Sequence, residues 1–479
     1  MKIAVPKGAS LEAVLGAAGV EFPCGGAGTC GGCRVRVLEG WLAVTPEMKP
    51  ALTAAELDAG WRLACCSRAE TDVVVEAGEW NMPVLSDDSA PAPSPGGRGS
   101  GIGIAVDLGT TTLVAQAVDL ATGELLGVET ALNPQAAHGA DVMTRIEYAL
   151  KGGAGELAAE IRGAIGRMVA GQRAALVLLA GNTAMHHLFC GVDAAPLAAV
   201  PFEPADLGEH VFAPAALGWD LPEEAEVRFL PCLGGFVGSD ILAGIAATGM
   251  AHTHALQALI DLGTNGEIVV GNAERMLCAS TAAGPAFEAG RIRMGMRAAP
   301  GAVSHVEWRD GAYRCRTVGD AAPRGICGSG LVDAVAAGLE SGAILSTGRM
   351  PGKTLRLAGP VEIAQSDVRE LQLAKGAIAA GLRILAERWG ARVDQIERVY
   401  LAGAFGNYVR VESARRIGLL EVAAERIAPA GNTSLRGVKM ALAGGAAALE
   451  GIRERTGHVP LGSDARFQET FAECLGFPE

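Results

Sequence analysis

Aromatic residues make up only 4% of the 479 positions, which excludes ring-on-ring packing as the main source of the cores. Basic residues are short as well: 40 Lys and Arg stand against 53 Asp and Glu, a formal net charge of −13. A chain of that sign supplies no phosphate-neutralising face, so nucleic acid is excluded as a partner. No apolar run approaches eighteen residues, which excludes a membrane-spanning helix. The start Met1-Lys2-Ile3-Ala4-Val5-Pro6 lacks the apolar core of a signal peptide. These absences predict a soluble, cytoplasmic protein with no membrane partner. Small residues abound instead, 66 glycines among them, beside a hydrophobic content of 49%. That composition suits closely packed α/β layers, and the length carries a prior of two to four domains.

Disulfides are not expected. The 11 cysteines are odd in number and no secretion signal precedes them, so reduced thiols are the reading for most. Cys66, Cys190, Cys232, Cys278, Cys315, Cys327 and Cys474 are scattered singly through apolar sequence. The remaining four are different. Cys24-Gly-Gly-Ala-Gly-Thr-Cys30-Gly-Gly-Cys33 is a glycine-rich loop of spacing C-x5-C-x2-C, and Arg62-Leu63-Ala64-Cys65 adds a distant thiol. Iron–sulfur clusters need several thiolates converging on one point, and the plant-type 2Fe–2S arrangement combines one loop with a remote cysteine. Gly25, Gly26, Gly28, Gly31 and Gly32 permit the backbone turns that aim N–H groups at sulfur. A structural zinc ion also favours C-x2-C. Its second couple would be the adjacent Cys65-Cys66, a poor geometry for one tetrahedral ion, so the 2Fe–2S cluster is the reading taken.

Residues 83–101 read PVLSDDSAPAPSPGGRGSG, without periodicity. Such a stretch cannot bury enough apolar surface to offset its ordering entropy, and predicts a mobile linker. Fully extended at about 3.1 Å per residue, it would reach roughly 55–60 Å. The domain in front is small: strands over 3–5, 34–37 and 73–75, and a short helix over 10–18 with Ser10 as its N-cap.

On these residues, 1–80 resembles the adrenodoxin-type and plant-type 2Fe–2S ferredoxins, whose fold is a β-grasp. In those proteins the fourth ligand follows an Arg-Leu pair, so the resemblance implies Cys24, Cys30, Cys33 and Cys65 as ligands and leaves Cys66 a packed thiol. It departs from them at the start, where only one strand of the usual N-terminal hairpin is present. An exposed sheet edge there is a liability or a docking surface.

A second signal occurs twice. Ile104-Ala105-Val106-Asp107-Leu108-Gly109-Thr110-Thr111-Thr112 is echoed by Leu259-Ile260-Asp261-Leu262-Gly263-Thr264-Asn265-Gly266. Each is an apolar strand ending in Asp-Leu-Gly-Thr and turning into a second strand. Glycine lets backbone N–H groups approach a phosphate closely, the Thr and Asn side chains add donors, and each Asp can hold Mg²⁺ through water. One copy alone is a tight β-turn; two copies suggest a duplicated subdomain that grips phosphates from both sides. A third piece, Val399-Tyr400-Leu401-Ala402-Gly403-Ala404-Phe405-Gly406-Asn407, is a buried strand with a glycine turn that can lie against a purine.

In that order the three pieces resemble the phosphate-1, phosphate-2 and adenosine motifs of the acetate and sugar kinase, actin and heat-shock chaperone ATPases. The resemblance implies two ribonuclease-H-like α/β lobes, expected here with five-stranded mixed sheets, and ATP with Mg²⁺ between Asp107 and Asp261. A narrower similarity, to the ATP-dependent reductive activators of corrinoid proteins, covers nearly all of 102–475. It rests on Gly181-Asn182-Thr183-Ala184-Met185-His186-His187, Gly234-Gly235-Phe236-Val237-Gly238-Ser239-Asp240, Met296-Arg297-Ala298-Ala299-Pro300-Gly301-Ala302, Gly325-Ile326-Cys327-Gly328-Ser329-Gly330 and Arg369-Glu370-Leu371-Gln372-Leu373-Ala374-Lys375. Larger members carry a segment between linker and ATPase that this chain, passing from Gly101 straight into the phosphate-1 strand, lacks.

The expected organisation is a ferredoxin domain (1–82), a linker (83–100), a phosphate-1 lobe (101–255) and a second lobe (256–479) with the phosphate-2 and adenosine motifs. Nucleotide contacts are expected from Asp107, Gly109, Thr110, Thr111, Thr112, Asp261, Gly263, Thr264, Asn265, Gly266, Gly403, Ala404, Phe405 and Gly406. Asp240 and Glu267 are the candidates for placing the attacking water or the metal. His186 and His187 read as structural histidines ahead of ligand contacts. Leu371, Ile378, Leu382, Leu385 and Trp389 mark the core face of a helix, and Arg410, Arg415 and Arg416 a solvated one. The function implied is reductive reactivation: one electron passes from the 2Fe–2S cluster to a corrinoid protein's Co(II), regenerating Co(I). A low-potential donor upstream is implied as well, and a homodimer is left open. Two other classes compete. A small-molecule kinase explains the ATP motifs but has no use for a ferredoxin domain; a redox carrier or sensor would leave the ATPase-like lobes a scaffold.

Overall fold

The structure, a computed structural model, describes residues 2–17, 33–49, 52, 54–77, 87, 101–139, 141–263, 265–445 and 447–479. Cys24, Cys30, Thr264 and all of the expected linker except Asp87 fall outside those residues, and only the backbone of Ala404 is described.

The N-terminal sheet has four strands: β1 (Lys2–Val5), β2 (Arg34–Glu39), β3 (Trp61–Leu63) and β4 (Val73–Ala77), in the order β1-β4-β2-β3, all antiparallel. The last strand is thus central, because Val73 and Val75 alternate inward against Val5, Leu11, Leu15, Val35 and Leu63. The helix begins at Leu11 and ends at Ala17. Ser10 forms an isolated bridge to Arg68.

Past Gly101 the chain forms β5 (Ile102–Leu108), β6 (Thr112–Asp119), β7 (Leu125–Leu132), β8 (Ala174–Gly181), β9 (His210–Phe212) and β10 (Glu226–Phe229). Their order is β7-β6-β5-β8-β10-β9. Three antiparallel strands lead, then β8 and β10 run parallel to β5, joined by helices Ala154–Val169 and Thr183–Cys190.

The second lobe repeats the plan. It contains β11 (Gln257–Leu262), β12 (Gly266–Gly271) and β13 (Met276–Thr281) as an antiparallel meander. An insertion follows: the small sheet of β14 (Ala302–Arg309), β15 (Ala312–Thr317) and β16 (Gly325–Ile326), then the hairpin β17 (Thr354–Ala358) and β18 (Val361–Ala364). The main sheet resumes with β19 (Arg398–Ala402), β20 (Ile427–Gly431) and β21 (Thr456–His458), in the order β20-β19-β11-β12-β13-β21. Each lobe therefore has six strands where five were expected. The additions, β9 and β21, are three-residue edge strands too short to leave an alternating pattern.

The equivalence of the lobes is visible strand by strand. Asp107 pairs with Ala180 of β8, and Asp261 pairs with Ala402 of β19. A shared core joins the lobes, with Val237, Ile241 and Leu242 from one side meeting Leu435, Val438 and Leu442 from the other. There helix Ser239–Thr248 crosses helix Thr433–Gly444 so closely that a Cβ on Gly437 would lie 1.9 Å from the Ala243 carbonyl. Burial of each such aliphatic side chain contributes roughly 1.5–3 kcal/mol.

The stripe expected on helix Gln365–Trp389 is a core face at Leu371, Ile378, Leu382 and Leu385, all buried, while Trp389 at its end is only partly buried. The arginines face solvent as expected, Arg415 exposed and Arg410 and Arg416 half-buried, and each also has a partner. Arg410 faces buried Asp333 at 3.9 Å, Arg415 Nε donates to Val422 O, and Arg416 Nη1 donates to Pro478 O. Asp87 is held by Lys439, whose Nζ lies 2.5 Å from its carbonyl and 3.2 Å from its carboxylate. Lys439 is only 1% exposed, so this point of the expected linker is fastened to helix Thr433–Gly444. Among the described residues no helix is long and apolar enough to cross a membrane.

Candidate functional site

The two Asp-Leu-Gly strands deliver their carboxylates to one cleft. Asp107 stands next to last in β5, and the turn after the strand is tight: Gly109 N donates to Thr112 O at 3.0 Å. Any Cβ on Gly109 would sit 2.6 Å from that oxygen, so glycine is required. Asparagines brace the turn from behind. Asn133 Nδ2 donates to Gly109 O and Asn182 Nδ2 to Thr110 Oγ1, both at 2.9 Å. Asn182 also caps helix Thr183–Cys190, its Oδ1 accepting from Met185 N. The Asp107 carboxylate is gripped from the other lobe. Asn432 Nδ2 reaches one oxygen and Ser434 Oγ the other, each at 2.8 Å.

Asp261 stands next to last in β11 and faces Glu267 directly across the β11–β12 pair, so the two acids share one face of the sheet. Gly263 N donates to Asn265 O at 3.1 Å across the second turn. Gly266 packs under helix Gln365–Trp389, leaving a Cβ there no room beside Ile378. Gly403 opens helix Gly403–Tyr408 at φ +80°, and a Cβ on it would meet Asp261 Oδ1 at 2.5 Å. Phe405 is buried, its ring 4.7 Å from that of Phe287, so it supports this turn from the core. Gly406 lies against Leu401. Asp240 stands in the first turn of helix Ser239–Thr248, its Oδ1 accepting from Ile241 N at 2.8 Å.

Four carboxyl groups thus surround one space, and their electrostatics agree. Burial, then Asp261, pushes Asp240 up to about 8. Asp261 is pushed up to about 7 by burial and by Asp107. Burial raises Asp107 too, against the two donors from Asn432 and Ser434. Glu267 is raised well above the ordinary range by burial and then by Asp240 and Asp261, although Ser280 Oγ donates to it at 3.1 Å. Among the described residues no Lys or Arg forms an ion pair with any of the four. An all-oxygen, like-charged set of this kind fits a hard divalent cation such as Mg²⁺.

A stability consequence follows. With folded values raised above the unfolded value near 4, the folded state binds more protons than the unfolded chain from about pH 4 up to about pH 8. Stability is therefore expected to fall as pH rises through that window. Thermal unfolding followed at about pH 5.5 and pH 8 should give the lower midpoint at pH 8, with a smaller difference in Asp240→Asn. An unchanged difference in that variant would remove the carboxylate cluster as its source.

The N-terminal domain brings two of the predicted ligands together. Cys33 precedes β2 and Cys65 lies in the turn Ala64–Cys66 after β3. Their sulfurs are 3.1 Å apart, and Cys65 N points at Cys33 Sγ from 3.5 Å. Two thiolates on one tetrahedral metal stand about 3.7 Å apart at metal–sulfur bonds of about 2.3 Å, so this pair needs only a small separation to share one iron, and the described half of the centre fits the cluster. Cys66 Sγ is 3.6 Å from Cys65 Sγ. Arg62, ahead of that turn, is structural: its guanidinium is buried and donates to the carbonyls of Leu42, Leu57 and Trp61.

A ferredoxin centre and a two-lobed, carboxylate-lined nucleotide cleft in one chain define an iron–sulfur protein joined to an actin-like ATPase. Comparison with known proteins narrows this class. Residues 1–70 match the 2Fe–2S iron–sulfur cluster binding domain, 102–253 the middle region of RACo, and 255–479 the C-terminal, ASKHA domain of RACo. The corrinoid activation enzyme RamQ of Eubacterium limosum is 34% identical over 413 residues, covering 77% of this chain and 69% of that protein. The [Co(II) methylated amine-specific corrinoid protein] reductase of Methanosarcina barkeri is 31% identical over 367 residues, covering 69% and 68%. A solved structure, the reductive activator for corrinoid, iron–sulfur protein, superposes with a TM-score of 0.71 at 27% identity, covering 100% of this chain and 97% of that one. The chain belongs to the family of ATP-dependent reductive activators of corrinoid proteins.

Proposed function

We propose that this protein is an ATP-dependent reductase that returns a corrinoid protein from inactive Co(II) to Co(I), one electron per turnover. The observation that carries the reading is the pairing, in one chain, of the Cys33–Cys65 centre with the Asp107–Asp240–Asp261–Glu267 cleft. Relatives over most of the chain are named for activating or reducing corrinoid proteins.

Cys24, Cys30, Cys33 and Cys65 are the assigned ligands of a 2Fe–2S cluster, which when bound supplies one-electron transfer. A low-potential donor restores that electron, and the corrinoid protein accepts it: Co(II) gains one electron and becomes Co(I). In the cleft, Gly109, Thr110, Thr111 and Thr112 after the first Asp-Leu-Gly strand, with Gly263, Thr264, Asn265 and Gly266 after the second, would hold the phosphates of ATP, and Gly403, Ala404, Phe405 and Gly406 would take its adenosine. Asp107 and Asp261 would hold Mg²⁺ through water. Asp240 and Glu267 are the carboxyls able to orient the attacking water and accept its proton. A potential gap of about 100 mV costs about 2.3 kcal/mol per electron. That lies within the roughly 1–3 kcal/mol a conformational coupling between two bound states supplies; a larger gap draws on ATP hydrolysis. The cytoplasm, with its reducing thiol poise, is the compartment that suits this chemistry.

The test is the visible spectrum of a purified corrinoid protein, incubated anaerobically with this protein, a reductant and Mg-ATP. Co(I) should accumulate, and should fail to do so without ATP or in Cys65→Ser, which should also lose iron and sulfide. Cys66→Ser should keep both. Iron retained in Cys65→Ser and lost in Cys66→Ser would reassign the ligand. One zinc and no sulfide in the wild type would end the electron-transfer reading.

A further inference from the structure

One side-chain cluster in the first lobe takes no part in the nucleotide cleft. His186 and Cys190 stand one turn apart on helix Thr183–Cys190, so their side chains share a face. His210 opens the edge strand β9. One ligand atom from each, a ring nitrogen of each histidine and the cysteine sulfur, all lie within 4.8 Å of one another. Both rings are oriented by oxygen: His186 Nε2 lies 3.0 Å from Gly208 O, and His210 Nε2 lies 2.8 Å from Asp206 Oδ2. With an Nε2–H donated to each of these acceptors, Nδ1 is the nitrogen each ring has left for a metal, and that of His186 lies 3.4 Å from His187 Nδ1. Carbonyl and carboxylate partners are the groups that orient metal-ligating imidazoles.

We propose that His186, Cys190 and His210 bind one zinc-class divalent ion, with a fourth position open on the half-exposed His210 side. Two imidazoles and a thiol select such borderline-soft ions over Mg²⁺, which takes oxygen ligands. Tetrahedral zinc, with bonds of about 2.0–2.3 Å, would draw the three atoms to about 3.5 Å from one another. On binding, the Cys190 thiol gives its proton to solvent and the sulfur becomes the ligand.

Aromatic packing is the competing account. His186 meets Phe229 edge-on at 5.0 Å and His210 at 5.1 Å. Packing explains the burial but has no need of a thiol and two oriented imidazoles within one coordination radius. A bound ion would also have structural work to do. Cys190 and His210 bracket residues 191–209, a connection whose only regular piece is the turn Ala195–Ala198. Connections of that length are uncommon in compact domains without an anchor. This one carries Phe202 to its ring contact with Phe236, 5.7 Å away, in a pocket shared with Ser280 and His458 of the other lobe.

The test uses the full-length chain, purified anaerobically with its iron retained, then titrated with Zn²⁺ alone against a competing chelator. About one zinc per chain should bind, with an X-ray absorption edge reporting one sulfur and the remaining ligands nitrogen or oxygen. Cys190→Ser and His210→Ala should lose it while iron content stays unchanged. Asp206→Asn, which removes no ligand, should weaken zinc binding by about 10–100-fold, and decides the matter should either ligand variant fail to fold. Zinc that persists undiminished in Asp206→Asn and His210→Ala overturns the site. So does zinc that leaves with Cys65→Ser, or wild-type protein that binds none at micromolar concentration.

Discussion

Asp261→Asn is expected to lower ATP hydrolysis by at least about a hundredfold, the range over which a positioned acid–base or metal-holding group acts. The expectation rests on placement. Asp261 stands between Asp107 and Glu267, is raised by burial and by Asp107, and has Gly403 closed over it so that no other side chain can enter. Asparagine keeps the shape and removes the charge, so a folded variant should still bind nucleotide but hydrolyse it slowly. Glu267→Gln should act in the same direction. Ser434→Ala is a contrast: it removes one donor to Asp107 from the opposite lobe without touching phosphate. Its effect should be smaller and should fall mainly on the pH profile, because Asp107 loses a donor that lowers its pKa. Full steady-state ATPase activity in Asp261→Asn would refute the proposed nucleotide site.

The parts of this cleft that were legible in the sequence are those whose chemistry is local. Asp107 and Asp261 each sit within a strand and turn of about nine residues, where apolar pattern, glycine and threonine are contiguous, and the repeat itself points to two lobes. Asp240 and Glu267 were legible as isolated acids beside such turns. Their interaction with each other was not, since it depends on the closing of two lobes. Asn432 and Ser434 were missed altogether. They reach Asp107 across 325 and 327 positions of chain, and an Asn-Thr-Ser at a helix start reads as an ordinary cap, a role Asn432 also fills by accepting from Leu435 N. Asn182 was quoted within a motif without a role, because its second bond, to Thr110, is made only when β5 and β8 lie side by side. Cys65 was reached through the Arg62-Leu63 pair. The structure gives that pair a reason: the guanidinium of Arg62 gathers three carbonyls and sets the turn that aims Cys65 at Cys33.

Cutting the chain between the ferredoxin domain and the lobes should slow Co(II) reduction by about a hundred- to a thousandfold at micromolar protein. In the proposed reaction an electron passes from a centre in one domain to a cobalt in another protein, which the lobes would also engage. A short tether makes that second encounter intramolecular, at an effective concentration in the millimolar range. Separate 1–82 and 101–479 fragments would instead meet at their micromolar bulk concentration. Lys439 refines the expectation. By holding Asp87, it leaves only the ten steps from Ala77 to Asp87 to span the distance to helix Thr433–Gly444. At up to about 3.6 Å each they reach no more than roughly 36 Å, against roughly 86 Å for the 24 steps from Ala77 to Gly101. That helix is also the one whose first turn holds Asp107, so the tether point and the nucleotide cleft share one rigid element. Lys439→Met should therefore leave ATP hydrolysis and cluster content nearly unchanged while weakening the dependence of electron transfer on nucleotide. Ferredoxin fragment alone reducing the corrinoid protein as fast as the intact chain, with no response to ATP, would overturn both the tether and the coupling it is proposed to serve.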